Sequence, residues 1–145
     1  MIAKEITYSQ IEKAIRVSFE QDSKIVSLYD PNVEVANTDD VIASIYSKIF
    51  DIKDLCICKG VYEKGVLVGY YIYTEMLLIS FSLSPQYRTR GYLRDFFSLI
   101  RRDLGKKFVC RLWSKNVRAI KWLIKNKLEV LEDNNNIVEL VYLKQ

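Results

Sequence analysis

Within residues 77–105 the hydrophobic period changes from that of a strand to that of a helix, across a short basic loop, and the rest of the chain is organised around this change. Leu77, Ile79, Phe81 and Leu83 alternate with Leu78, Ser80, Ser82 and Ser84, the pattern of a strand with one apolar face. Pro85 cannot donate to a ladder and ends the strand. A polar loop follows over residues 86–91, with Arg88 and Arg90 just before Gly91. From Leu93 onward, Leu93, Phe96, Phe97, Ile100 and Leu104 fall on one face of a helix. Gly105 stands where the helix end favours a residue tolerant of positive φ. A strand, a basic glycine-containing loop and a helix together gather unpaired N–H groups at the positive end of a helix dipole. That arrangement suits an anion, most often a phosphate.

The remaining elements follow from period and punctuation. A short strand is expected over residues 3–7, and Ser9 with Glu12 reads as a capping box opening a helix with Ile11, Ala14, Ile15, Ser18 and Phe19 inward. Residues 29–37 read as loop carrying Asp30 and Glu34. Thr38 is expected to cap a second helix, with Asp39 and Asp40 near its positive end and Ile42, Ile45, Tyr46 and Ile49 on its apolar face. Lys53 and Asp54 close it. Strands are then expected over residues 55–62 and 66–74, joined by a tight turn at Glu63, Lys64 and Gly65, with a break at Glu75 and Met76. After Gly105 come a strand over residues 107–113 and a helix over residues 114–126 with Ile120, Leu123 and Ile124 inward. A hairpin follows, with strands over residues 128–131 and 137–143 and a turn at residues 133–136. The 145 residues suffice for a single domain with a sizeable core, and no internal repeat or linker divides them.

The chain contains no histidine, which excludes Ser-His-Asp, Cys-His and histidine-based metal chemistry. Acid–base work falls to carboxylates, tyrosines, a thiol or water. Cys56 and Cys58 share a strand face and Cys110 lies on another strand; with no histidine to complete a common site they read as buried thiols, and no metal is expected. The net charge of +4 is spread along the chain and does not call for nucleic acid as a partner. With no apolar run of spanning length and no signal-peptide pattern at Met1, a cytoplasmic protein without a membrane is expected.

The residues Leu83, Ser84 and Pro85, then Arg88, Thr89, Arg90, Gly91, Tyr92 and Leu93, resemble the acetyl-CoA-binding motif of the GCN5-related N-acetyltransferase (GNAT) superfamily. The resemblance in element order covers nearly the whole chain, and that in motif covers residues 77–128. It implies a mixed α/β (α+β) fold with a mostly antiparallel central sheet flanked by about four helices. It further implies acetyl-CoA as co-substrate, with the amides of residues 88–93 on its pyrophosphate and the backbone of Ser82 and Leu83 on its pantetheine arm. A second family motif is matched by Asn116, Ala119 and Ile120, which implies a place for Asn116 near the far end of that arm; local backbone bonding at a helix start is the alternative for Asn116.

Amine acetylation needs a neutral amine, so a carboxylate takes its proton, usually through water. Glu75, at the entry to the organising strand, is the candidate base, with an exposed turn charge as the alternative. The family's general-acid tyrosine is replaced by Leu123, and Tyr92 is the candidate substitute, with Tyr87, Tyr71 and Tyr73 also beside the expected cleft. Asp30, Glu34, Asp39 and Asp40 are placed to draw a cationic substrate. Lys115, Arg118, Lys121 and Lys125 make a basic ridge that, with Arg88, Arg90 and Arg94, offers charge to phosphates. The implied activity is acetyl transfer from acetyl-CoA to an amine on a small molecule or protein. Leu93, Leu123 and Lys127 depart from the family pattern and keep a second expectation open. This is a non-catalytic GNAT-fold binding or assembly protein, self-associating or joined to other components, such as those of a bacteriophage virion.

Overall fold

The computed structural model describes residues 1–19, 37–134 and 136–144. Its strands are β1 (Ile2–Ile6), β2 (Ile57–Glu63), β3 (Val66–Thr74), β4 (Leu77–Leu83), β5 (Lys107–Trp113), β6 (Glu129–Asn134) and β7 (Ile137–Leu143). They form one sheet in the order β1-β2-β3-β4-β5-β7-β6. Every neighbouring pair is antiparallel except β4 and β5. Helices α1 (Ile11–Phe19) and α2 (Thr38–Ile49) cover one face, and α3 (Arg90–Leu104) and α4 (Val117–Lys125) cover the other. This is the α+β architecture that the order of elements implied. No helix among the described residues is long and apolar enough to cross a membrane.

Each face has its own core. Ile11, Ala14, Ile15 and Phe19 of α1 meet Ile42, Ile45 and Ile49 of α2 over Cys58, Tyr70 and Ile72. On the other face Phe96, Phe97 and Ile100 of α3 and Leu123 of α4 pack on Tyr71, Leu78, Phe108 and Leu140. The stripes read for the first three helices therefore supply the helical side of each core, and burial of each large side chain contributes roughly 2–3 kcal/mol.

Several local readings are corrected. The capping box is formed by Thr7 and Gln10, not Ser9 and Glu12: the Thr7 N–H donates to Gln10 Oε1 at 2.8 Å and the Gln10 N–H to the Thr7 carbonyl at 2.9 Å. Because β1 ends at Ile6, a 3₁₀ turn over Tyr8–Gln10 precedes α1 and Thr7 reaches its donors first. Asn37, not Thr38, caps α2, its Oδ1 accepting from the Asp40 N–H at 3.0 Å. Strand β2 starts at Ile57, since Phe50–Ile52 form a further 3₁₀ turn and Leu55 is exposed. In α4, Ile124 faces solvent and Trp122 packs inward, because the buried stripe centres on Leu123. Strand β6 runs to Asn134, so the closing hairpin turn is shorter than the four residues expected. Tyr71, expected beside the cleft, is fully buried and its hydroxyl donates to the Asp103 carboxylate of α3. Residues 29–36, with Asp30 and Glu34, and Asn135 lie outside the described residues.

The buried acids give an alkaline limit to stability. Burial pushes the thiols of Cys58 and Cys110 up to about 12 from an ordinary value of 9.0. The Tyr71 hydroxyl is also raised, by burial first and then by its bond to Asp103. A folded-state pKa above the unfolded one means that the fold favours the neutral form. That stabilisation is complete below about pH 9 and is lost as pH rises toward 12. The melting temperature is expected to fall steadily across that window, and the fall should shrink in a Cys58→Ala/Cys110→Ala variant. An equally steep fall in the double variant would count against thiol ionisation as a cause.

Candidate active site

The parallel pairing of β4 and β5 is brief. It joins Leu77 to Val109 and Leu78 to Cys110, with the Val109 N–H on the Met76 carbonyl at 2.8 Å, and there it stops. Directly afterwards the β3–β4 register shifts: Tyr73 faces Leu78, whereas Ile72 faces Ser80, leaving Ile79 as the extra residue of a bulge. The bulge interrupts the simple alternation read from the sequence. Ile79 packs with the α1–α2 core, while Phe81 and Leu83 pack with the α3–α4 core. A bulge bends its strand, and here β4 turns away from β5 while staying paired to β3 as far as Leu83. The two parallel strands therefore diverge, and one edge of residues 79–83 faces a cleft instead of a strand.

This cleft encloses about 640 Å³ and opens through the sheet between the two helical layers. On the α3–α4 side its floor is aromatic: Trp122 lies 5.7 Å from Phe96 at 12° between planes and 5.6 Å from Phe81. Asn116 borders the same side as the N-terminal cap of α4. Its side chain makes no capping bond, so the local-backbone role considered from sequence is not the one it plays. Four cations, Lys48, Arg88, Arg111 and Arg118, and no carboxylate are found among the described lining residues.

At the outer end stands the N-terminus of α3. Thr89 precedes the helix and makes no side-chain cap bond, and its first turn holds no acidic residue. The Thr89 carbonyl accepts from the Leu93 N–H at 2.8 Å, while the first-turn amides project from the helix end. Gly91 is exposed, and a Cβ added there would meet nothing within 4 Å. Neither packing nor a positive φ requires glycine at this position; its absent side chain leaves the amides approachable. Arg88 braces the loop beneath. Its Nε donates to the Leu83 carbonyl at 2.8 Å and its Nη2 to the Ser18 carbonyl at 3.3 Å, and Ser84 Oγ donates to the Val17 carbonyl at 2.7 Å. These bonds tie the end of β4 to the last turn of α1.

The structure thus brings Ser82, Leu83, Arg88, Leu93 and Asn116 to one cleft, with Thr89, Arg90, Gly91 and Tyr92 in and beside the first turn of α3 at its outer end. Leu93 lies along the wall, packed on the α3–α4 core. Tyr92 does not line the cleft; its ring meets Tyr87 edge-on at 5.1 Å. Glu75 lies in the β3–β4 turn, roughly 25 Å of strand away from Leu83, beside a second cavity shared with Asp103 and Lys106. Sequence reasoning missed Trp122 and Arg111. Trp122 was detectable as the residue one turn after Ala119 on the same helical face.

No family model matches the chain, and no curated protein matches its sequence. Solved structures match its fold. An acetyltransferase from Thermus thermophilus superposes with a TM-score of 0.72 at 11% identity, covering 99% of this chain and 97% of that one. The PaiA N-acetyltransferase from Thermoplasma acidophilum, in complex with coenzyme A, gives 0.68 at 14% identity over 99% of both chains. The spermidine N-acetyltransferase from Vibrio cholerae, in complex with CoA and spermine, gives 0.65 at 9% identity over 99% of this chain and 95% of that one. At these identities the likeness speaks to architecture: the chain has the GNAT fold.

Proposed function

We propose that the chain binds acetyl-CoA in the β4–β5 cleft and transfers its acetyl group to an amine by direct attack. The divergence of β4 from β5 carries this reading, because it leaves a strand edge facing a cleft that ends at an uncapped helix N-terminus. The amides of residues 89–92 would hold the diphosphate, since the N–H groups of Arg88 and Leu93, also expected there, are donated to the Pro85 and Thr89 carbonyls; charge would come from Arg90 and Arg88, and Arg88 would also keep the loop at its height above β4. Backbone groups of Ser82 and Leu83 would align the pantetheine arm, and Asn116 would meet its far end. The coenzyme A complexes of the Thermoplasma and Vibrio enzymes, which share the fold, support this choice of ligand.

In the transfer the amine nitrogen attacks the thioester carbonyl, the C–N bond forms, the C–S bond breaks, and CoA departs as thiolate. The amine loses a proton as it attacks, and among the described lining residues, which hold no carboxylate, water would take it. Glu75, which borders the second cavity, and Tyr92, which does not line the cleft, are not placed to exchange a proton directly with atoms bound there.

Calorimetric titration with acetyl-CoA tests the reading. Binding in the micromolar range, weakened about tenfold by Arg90→Gln, is expected, whereas no heat at millimolar ligand would overturn it. The absence of a carboxylate or tyrosine from the described lining favours a second reading, a GNAT-fold protein that binds CoA without turnover. Tight binding with no thiol release over a panel of amines would select it.

A further inference from the structure

We infer that the acceptor is an amine carrying a carboxylate on an apolar body, such as an α-amino acid with an aromatic or branched side chain; this rests on the transferase reading above. The cleft has two sides, and the second is built differently from the side with Asn116 and Trp122. On the α1–α2 side its walls come from Phe19, Ile52, Ile79, Trp113 and Ile137, all apolar. Arg111 stands at the edge of this wall, two residues before Trp113 on the same face of β5.

Arg111 is held in place. Its Nε donates to Glu139 Oε2 at 2.9 Å across the β5–β7 pair, where Arg111 and Glu139 are direct cross-strand partners. A guanidinium has five N–H donors in a planar fork, so this single bond orients the group and leaves its other edge for a second carboxylate. The same pair neutralises Glu139, the acid beside the wall, and so removes its attraction for a cation. A polyamine has nothing to bind among the described lining residues, whereas an anionic head with an apolar body finds both a fork and a wall.

The test uses product analogues bound to the chain in the presence of CoA, so it does not depend on turnover. N-acetyl-L-phenylalanine is expected to bind at least tenfold more tightly than N-acetyl-L-phenylalaninamide, which lacks only the carboxylate. Arg111→Gln should erase that preference and Arg111→Lys should restore part of it. Trp113 fluorescence, read in a Trp122→Phe background, should respond to the acid. Equal binding of acid and amide, or tighter binding of spermidine than of either, would overturn the inference while leaving CoA binding intact. Failure of CoA itself to bind would remove the transferase reading and the inference together.

Discussion

Gly91→Glu is expected to abolish acetyl-CoA binding while leaving the melting temperature unchanged or higher. The two effects have opposite signs because one helix end serves two purposes. Gly91 is the second residue of α3 and is exposed, with nothing within 4 Å of the place a Cβ would take. Replacing a helical glycine gains roughly 0.5–1 kcal/mol of backbone entropy. A carboxylate at a helix N-terminus adds about 0.3–1 kcal/mol more through the dipole. The same carboxylate would stand where a diphosphate has to sit, in a turn that now holds no acidic residue. Repulsion of like charges at contact distance and loss of the amides to an internal anion should cost at least 100-fold in affinity, about 3 kcal/mol. Gly91→Ala, which adds bulk without charge, should lose several-fold. A glutamate variant that binds acetyl-CoA as tightly as the parent would show that the diphosphate lies elsewhere, and a variant that melts much lower would show that Gly91 serves the fold.

What the sequence made legible was periodic. The stripe of α1, the central residues Phe96, Phe97 and Ile100 of the α3 stripe and the order of elements follow from side-chain spacing, and those residues are buried as read. The passage from β4 through the loop into α3 was legible because Pro85, Gly91 and Gly105 punctuate it. Irregular features were not. The bulge at Ile79 opens the cleft, yet Leu77 to Leu83 read as unbroken alternation, because a bulge answers to the register of the partner strand. Caps shifted by one or two residues, as Thr7 and Asn37 did, because Ser, Thr and Asn are near-equivalent caps and the preceding element decides among them. Trp122 was passed over because Ile120, Leu123 and Ile124 already sufficed for a stripe. Arg111 acquires its setting only through Glu139, 28 residues later in the chain.

Gly69→Ala should lower the melting temperature by about 10 °C, from roughly 3 kcal/mol of overpacking in a chain of this size. A Cβ at Gly69 would run into the Ser82 carbonyl oxygen and the Leu83 side chain, and backbone cannot step aside as the tip of a side chain can. Here the β2–β3 register is also irregular: Val61 faces Gly69 while Tyr62 faces Leu67, so Gly69 adjoins a second bulge. Its missing side chain lets β3 hold the end of β4 closely, with the Ser84 N–H on the Val68 carbonyl at 2.7 Å. That end carries Leu83 and the loop braced by Arg88, so the strain should reach the cleft as well as the fold. Gly60 provides the control within the same sheet. A Cβ there would approach only side-chain atoms of Ile6, Tyr62 and Leu67, each at 3.2 Å, which can shift by a few tenths of an ångström. Melting temperatures are therefore expected to fall in the order Gly91→Ala, Gly60→Ala, Gly69→Ala, with acetyl-CoA affinity reduced in the first and third and retained in the second. A Gly69→Ala protein as stable as Gly60→Ala would mean that β4 is not pinned to β3 at this point, and the divergence of β4 from β5 would then need another cause than the two bulges.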